Sequence, residues 1–194
     1  MITRFIFTGY HNSDKVKSKN NPDVSHLSVF TYGDMIFMYF ESEKYSVCPD
    51  SVVEADMKAF PDGTNWRRMP DVFHYSKPKS AEHWERKIAD KKPDMRLMYI
   101  KDEMVASYVF NHYRYQEEFP GDGDKYGIMG LLGNMLAFYT ERPSEYDFEA
   151  TGTLKTTDSP FEPWGDVMEE HFRIEPGETR GTWKKMTPVD VKSE

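Results

Sequence analysis

Apolar positions along this chain fall into short runs of strand length, broken by glycine, proline and charge, with one longer stretch of helical spacing. Two of the runs are alike. Gly33-Asp34-Met35-Ile36-Phe37-Met38-Tyr39-Phe40-Glu41 lies over Gly133-Asn134-Met135-Leu136-Ala137-Phe138-Tyr139-Thr140-Glu141 at an offset of 100 residues, with Gly, Met, Tyr and Glu identical. In each, a Gly-Asp or Gly-Asn turn feeds an apolar strand that ends on a carboxylate, which is hairpin chemistry. The segments His26 to Tyr32 and Lys125 to Leu132 supply the first strand of each hairpin.

Other matches keep the same order: Arg4-Phe5-Ile6 over Arg96-Leu97-Met98, Asp71-Val72-Phe73 over Asp166-Val167-Met168, and Trp84-Glu85-Arg86-Lys87 over Trp183-Lys184-Lys185. A repeat of this kind implies two copies of one unit. The first copy reads as a strand at Thr3 to Gly9, a short helix near Asp14 to Lys19, the hairpin from His26 to Ser42, a helical region within Asp50 to Val72, and a strand at Glu82 to Ile88. The second reads as a strand at Arg96 to Ile100, a helix from Asp102 to Glu118, the hairpin from Lys125 to Glu141, a helical region at Trp164 to His171, and a strand at Thr182 to Met186. Helices alternating with strands around a hairpin describe an α+β fold of two ferredoxin-like repeats, residues 1–90 and 91–194, joined by the polar stretch Ala89 to Asp94. Each such sheet leaves one face uncovered, so the two copies are expected to pair within the chain as a pseudo-dimer of the dimeric α+β barrel type.

The helix from Asp102 is the most clearly bounded element. Asp102 and Glu103 suit its start and Pro120-Gly121 its end. Met104, Tyr108, His112 and Tyr115 recur at helical spacing, so Tyr108 and His112 share a face. The first copy has no equivalent pair, which makes any site built on them single.

Composition narrows the chemistry. Lys and Arg total 25 against 33 Asp and Glu, a net charge of −8, with no basic stripe to neutralise phosphates, so nucleic acid is not an expected partner. The single cysteine, Cys48, allows no internal disulfide and fits a cytoplasmic protein. No apolar run reaches the roughly 20 residues of a membrane helix, so no membrane partner is expected. Aromatic residues make up 15% of the chain, suiting a core or a carbohydrate cleft. His11, His26, His74, His83 and His171 form no two-histidine helical spacing, so no metal site is expected.

Tyr108-Val109-Phe110-Asn111-His112, Gln116-Glu117-Glu118, Tyr126, Leu136 to Glu141 and the Trp-Arg-Arg-Met-Pro-Asp-Val of residues 66–72 together resemble the L-rhamnose mutarotase family of dimeric α+β barrels. That family carries Tyr-x-x-x-His and then Trp-Pro-Glu on its first helix, a Tyr on the next strand, and tandem Trp before Tyr-Met-x-Asp-Val on its second helix. Here Gln116-Glu117-Glu118 replaces Trp-Pro-Glu, and the tandem Trp positions fall near Phe161 and Glu162 with Trp164 displaced. The resemblance implies a cofactor-independent monosaccharide mutarotase acting as a monomer or weak homo-oligomer, with His112 and Tyr108 catalytic and Tyr126, Glu141 and Trp164 binding substrate. Anomer exchange takes a proton from the anomeric hydroxyl while another reaches the ring oxygen. Histidine does either near neutral pH, and a tyrosine hydroxyl on the same face relays or orients. The alternatives are a non-catalytic sugar or metabolite binder, and a dimeric-barrel monooxygenase or haem-handling protein.

Overall fold

The structure is a computed structural model and describes residues 1–147 and 164–193. In chain order its elements are β1 (Thr3–Ser18), β2 (Ser25–Tyr32), β3 (Met35–Ser42), β4 (Val53–Lys58), β5 (Arg67–Arg68), β6 (Asp71–His74), α1 (Ala81–Trp84), β7 (Lys92–Tyr99), α2 (Val105–Glu118), β8 (Ile128–Leu132), β9 (Met135–Arg142), α3 (Trp164–Glu169), β10 (Lys184–Lys185), β11 (Thr187–Val189) and β12 (Lys192–Ser193). The class is mixed α and β, with mostly antiparallel sheets and few helices. The chain divides into two compact units: Met1–Pro70 with Pro78–Ala89 and Met186–Glu194, and Asp71–Lys77 with Asp90–Lys185. The boundary therefore differs from a cut at residue 90. The second unit takes β6 from beyond the first hairpin, and the first takes β11 and β12 from beyond the second.

In the first unit the sheet runs β11-β2-β3-β1-β12, with β4 and β5 also bonded to β1. Strands β11 and β12 are near neighbours in sequence yet bond at opposite ends of that path, so the sheet curls towards a nearly closed barrel. Its core holds Phe5, Phe7, Ile36, Met38 and Phe40, the alternate positions that share a strand face. The expected helix at Asp14 to Lys19 is absent because β1 continues to Ser18. The register shift between His11 and Val16 absorbs the polar residues there, and the strand resumes against β4. The expected helical region of residues 50–72 holds only a 3-10 turn at Pro49–Ser51, followed by β4, β5 and β6. The expected strand at Glu82 to Ile88 is instead the short helix α1, whose Ser80 cap accepts from the His83 amide at 3.0 Å.

In the second unit the sheet runs β10-β7-β9-β8-β6, all antiparallel. Met98, Met129, Leu136 and Phe73 share a core with Tyr108 of α2 and Met168 of α3. Helix α2 begins after a 3-10 turn at Asp102–Met104 rather than on an Asp102 cap. It ends where the Phe119 amide closes on the Tyr115 carbonyl, just before Pro120 and the left-handed Gly121 (φ 79°).

The hairpins coincide residue for residue. Gly33 and Gly133 both have φ 61°, the turn conformation glycine adopts without a steric cost. Tyr39 pairs with Ile6 and Ser28, and Tyr139 with Met95 and Ile128. These registers place Ile6 over Met95, an offset of 89, in place of the expected Arg4 over Arg96 at 92. They also correct the expected match of Trp84 to Trp183. Arg67 pairs with Thr8 and Lys184 with Leu97, 89 residues on, so Trp66-Arg67-Arg68-Met69 corresponds to Trp183-Lys184-Lys185-Met186. The same holds at the sheet edges, where Asp71 pairs with Gly130 and Pro188 with Phe30.

Candidate functional site

The second unit contains a partly open cavity of about 250 Å³. Each wall follows from local sequence. On α2, Tyr108, His112 and Tyr115 are spaced four and three apart and so share a face. On the extended segment at β6, Phe73 and Tyr75 lie two apart and so point to one side. On α3, Trp164 and Met168 are four apart. Phe138 of β9, Met129 of β8, and Phe172 and Trp183 from the segment after α3 complete the lining.

Seven of the rings form a closed circuit. Going round it from His112, centroids are 5.1 Å to Phe73, 4.9 Å to Tyr75, 6.4 Å to Phe138, 6.0 Å to Trp183, 6.3 Å to Phe172, 6.0 Å to Tyr108 and 4.0 Å back to His112. Successive planes turn by 31° to 80°. Trp164 adds a wall 5.1 Å from His112 and 4.9 Å from Tyr115. Tyr75 is fixed by glycine: a Cβ at Gly123 would lie 2.4 Å from its ring, and one at Gly127 2.6 Å from it. No bulkier residue fits at either point while the ring stays in place.

His112 is the polar focus. It is buried, and its Nδ1 lies 3.0 Å from the Tyr108 carbonyl, so Nδ1 carries the proton and donates. Among the described residues this is the ring's one hydrogen bond, which leaves the Nε2 lone pair to whatever occupies the cavity. Burial lowers its pKa to about 4; the Tyr108 carbonyl opposes the shift and His171 adds to it. His112 is thus a neutral imidazole at physiological pH. Tyr108 donates to the Met129 sulfur at 3.6 Å, and burial, with Tyr75 adding, holds its hydroxyl above the usual tyrosine range. Tyr115 donates to the Asp122 carboxylate. Its pKa is also raised, first by burial and then by that hydrogen bond. No Lys, Arg, Asp or Glu lines the cavity among the described residues.

Of the residues picked out by sequence, His112, Tyr108 and Trp164 meet in this cavity, whereas Tyr126 and Glu141 do not line it. They belong to a buried polar network. The Tyr126 hydroxyl lies 3.4 Å from Glu145, and its ring lies beside the ammonium groups of Lys91 and Lys125 at 5.1 and 5.6 Å. Glu141 accepts from the Tyr139 hydroxyl at 3.1 Å. The amides of Glu141 and Glu145 donate to Asp124 at 2.8 and 3.1 Å. Burial raises the Asp124 pKa against the pull of those two bonds. The Tyr two residues back on the same strand face, Tyr139, gives the buried Glu141 carboxylate a donor. Phe161 and Glu162 lie outside the described residues.

Sequence reasoning missed Phe73, Tyr75, Phe138, Phe172 and Trp183. The signal for the first two was the alternation Val72-Phe73-His74-Tyr75, but that segment was assigned to the first copy, while its strand bonds to β8 of the second. Among the described residues no three His, Cys, Asp or Glu side chains cluster as a metal site requires, and no helix is long and apolar enough to cross a membrane. No protein-family model, curated protein or solved structure matches the chain.

Proposed function

We propose that the second unit binds a compact, mostly apolar small molecule inside the ring-walled cavity, with His112 as its principal hydrogen-bond acceptor. The observation that carries this reading is a cavity lined mostly by aromatic side chains, with the buried imidazole of His112 among them. At about 250 Å³ the cavity lies below the roughly 300–1,000 Å³ of drug-sized sites, which favours a ligand smaller than haem. Saturation-transfer NMR of the intact protein against small ring compounds, alkylammonium ions and monosaccharides tests it. Saturable transfer that is lost on replacing Trp183 by Ala supports the reading. Transfer to no compound, or transfer unchanged in that variant, opposes it.

The second reading is the mutarotase chemistry implied by the resemblance. It draws on the unprotonated Nε2 of His112, which can take a proton from an anomeric hydroxyl while a cavity tyrosine hydroxyl serves the ring oxygen. Two features weigh against it: a pKa near 4 makes His112 a weak base, and few polar groups are present to satisfy a polyol. NMR exchange spectroscopy on aldoses decides it. Exchange that is catalysed and drops by about 10²-fold or more in His112→Ala supports it; the uncatalysed rate removes it.

We also propose that both units descend from one duplicated βββ unit, each closed by a short strand that follows the other's hairpin. The shared registers and the Trp-basic-basic-Met segments at 66–69 and 183–186 support this. A helix between the first two strands persists as α2 in the second copy only.

A further inference from the structure

Resting on the small-molecule reading, the question is which charge state the cavity accepts. Aromatic rings carry negative potential on their faces, and here aromatic side chains make up most of the lining of one space, with no cationic side chain lining it among the described residues. Two further observations point the same way. The Tyr115 hydroxyl donates to the Asp122 carboxylate, a hydrogen bond that drives electron density into the Tyr115 ring and sets an anion beside the cavity wall. His112 donates through Nδ1 to a backbone carbonyl, so its unprotonated Nε2 adds a further region of negative potential. A chain with a net charge of −8 also draws cations towards itself.

The lining discriminates among cations. A primary ammonium carries three strongly hydrated N–H donors and would lose its water for too few acceptors. A quaternary ammonium has no N–H, spreads its charge over methyl groups and is desolvated at less cost. It meets the rings through both apolar contact and cation–π attraction. We infer that the cavity of the second unit is an aromatic cage for a quaternary ammonium head group, built by the ring circuit with Trp164, and with Tyr115 made more electron-rich by Asp122.

The test is calorimetric titration of the intact protein at fixed ionic strength with choline, with tetramethylammonium, and with 3,3-dimethylbutan-1-ol, the uncharged isostere of choline. Choline should bind at least about tenfold more tightly than the neutral alcohol, the order of a desolvated cation–π contribution. Tyr115→Phe keeps the ring but loses the bond to Asp122. Asp122→Asn removes the charge of an exposed side chain while keeping its size and an oxygen acceptor. Both should weaken choline binding severalfold and leave the alcohol unchanged. If the alcohol binds as well as choline, or if both variants bind choline at the parental affinity, the cationic assignment is overturned while the small-molecule reading stands. If none of the three ligands binds, the assignment is also overturned, and the wider compound screen alone then decides the small-molecule reading.

Discussion

His112 spends much of its hydrogen-bonding capacity inside its own helix, and its burial has a consequence for stability. Its folded pKa of about 4 lies below the roughly 6.5 of an exposed histidine. As pH falls through 6.5 the unfolded chain takes up a proton that the folded chain refuses, so stability drops between about 6.5 and 4 and levels off once both states are protonated. The difference of about 2.5 units corresponds to roughly 3 kcal/mol at most. Urea titrations at pH 7 and pH 4.5 should therefore show wild type losing about 2 kcal/mol more than His112→Phe; equal losses would mean the ring is not held neutral. In the first unit the counterpart pressure is on Glu41, which is buried. Burial pushes its carboxyl up, but two Arg86 hydrogen bonds of 2.9 and 2.7 Å, with the Tyr39 hydroxyl, hold it below the usual range. Arg86→Met leaves the Glu41 carboxylate only the Tyr39 hydroxyl and His26, 4.0 Å away, and should cost about 3 kcal/mol by chemical denaturation, whereas an exposed pair would cost under about 1. The Tyr-x-Glu repeat behind both glutamates was legible in the sequence. Its burial was not, because a strand-ending carboxylate reads as solvated until its partners are known.

At the scale of elements, α2 and the two hairpins could be read directly. A three-to-four spacing and a Gly-Asp or Gly-Asn turn are local signals that tertiary contacts here reinforce. What could not be read was the fate of short polar interruptions. The polar stretch after Gly9 reads as a strand end and then a short helix from Asp14, yet the strand continues through it because β4 supplies a partner on the far side of the bulge. By strand register Trp66 corresponds to Trp183, 117 residues away, which the hairpin offset of 100 does not reveal. The loop from Gly121 to Gly127 is a further case. Its glycines look like ordinary turn residues, but Gly123 and Gly127 are small because the Tyr75 ring lies against them. Gly123→Ala should force that ring to move, destabilise the protein by about 1–3 kcal/mol and weaken any cavity ligand. Unchanged affinity and stability would show that the ring has room to shift without disturbing the wall.

For the molecule as a whole, the exchange of edge strands means that neither sequence half is a unit by itself. Residues 90–185 lack β6, and with it the partner of β8 and two cavity rings, Phe73 and Tyr75. A fragment of residues 90–185 should show no cooperative unfolding, while one of residues 71–185, which restores that strand, should unfold cooperatively. If the shorter fragment also folds cooperatively, β6 is dispensable. The likeness of the two hairpins was visible in the sequence because they align without gaps. The exchange was hidden because residues 67–74 divide between two sheets within a few positions, and hydropathy carries no information on which sheet a strand joins.

The central claim, that the ring-walled cavity is the binding site, is met most directly by methionine methyl NMR of the intact protein. Of the 12 methionines, Met129 and Met168 line the cavity, and substitution of each by Leu assigns its signal. Titration with choline, its neutral isostere and simple aldoses should shift those two methyls together and saturably for at least one ligand, while Met57 of the first unit stays fixed. If every ligand leaves Met129 and Met168 unmoved, or moves Met57 in their place, the cavity is not the site.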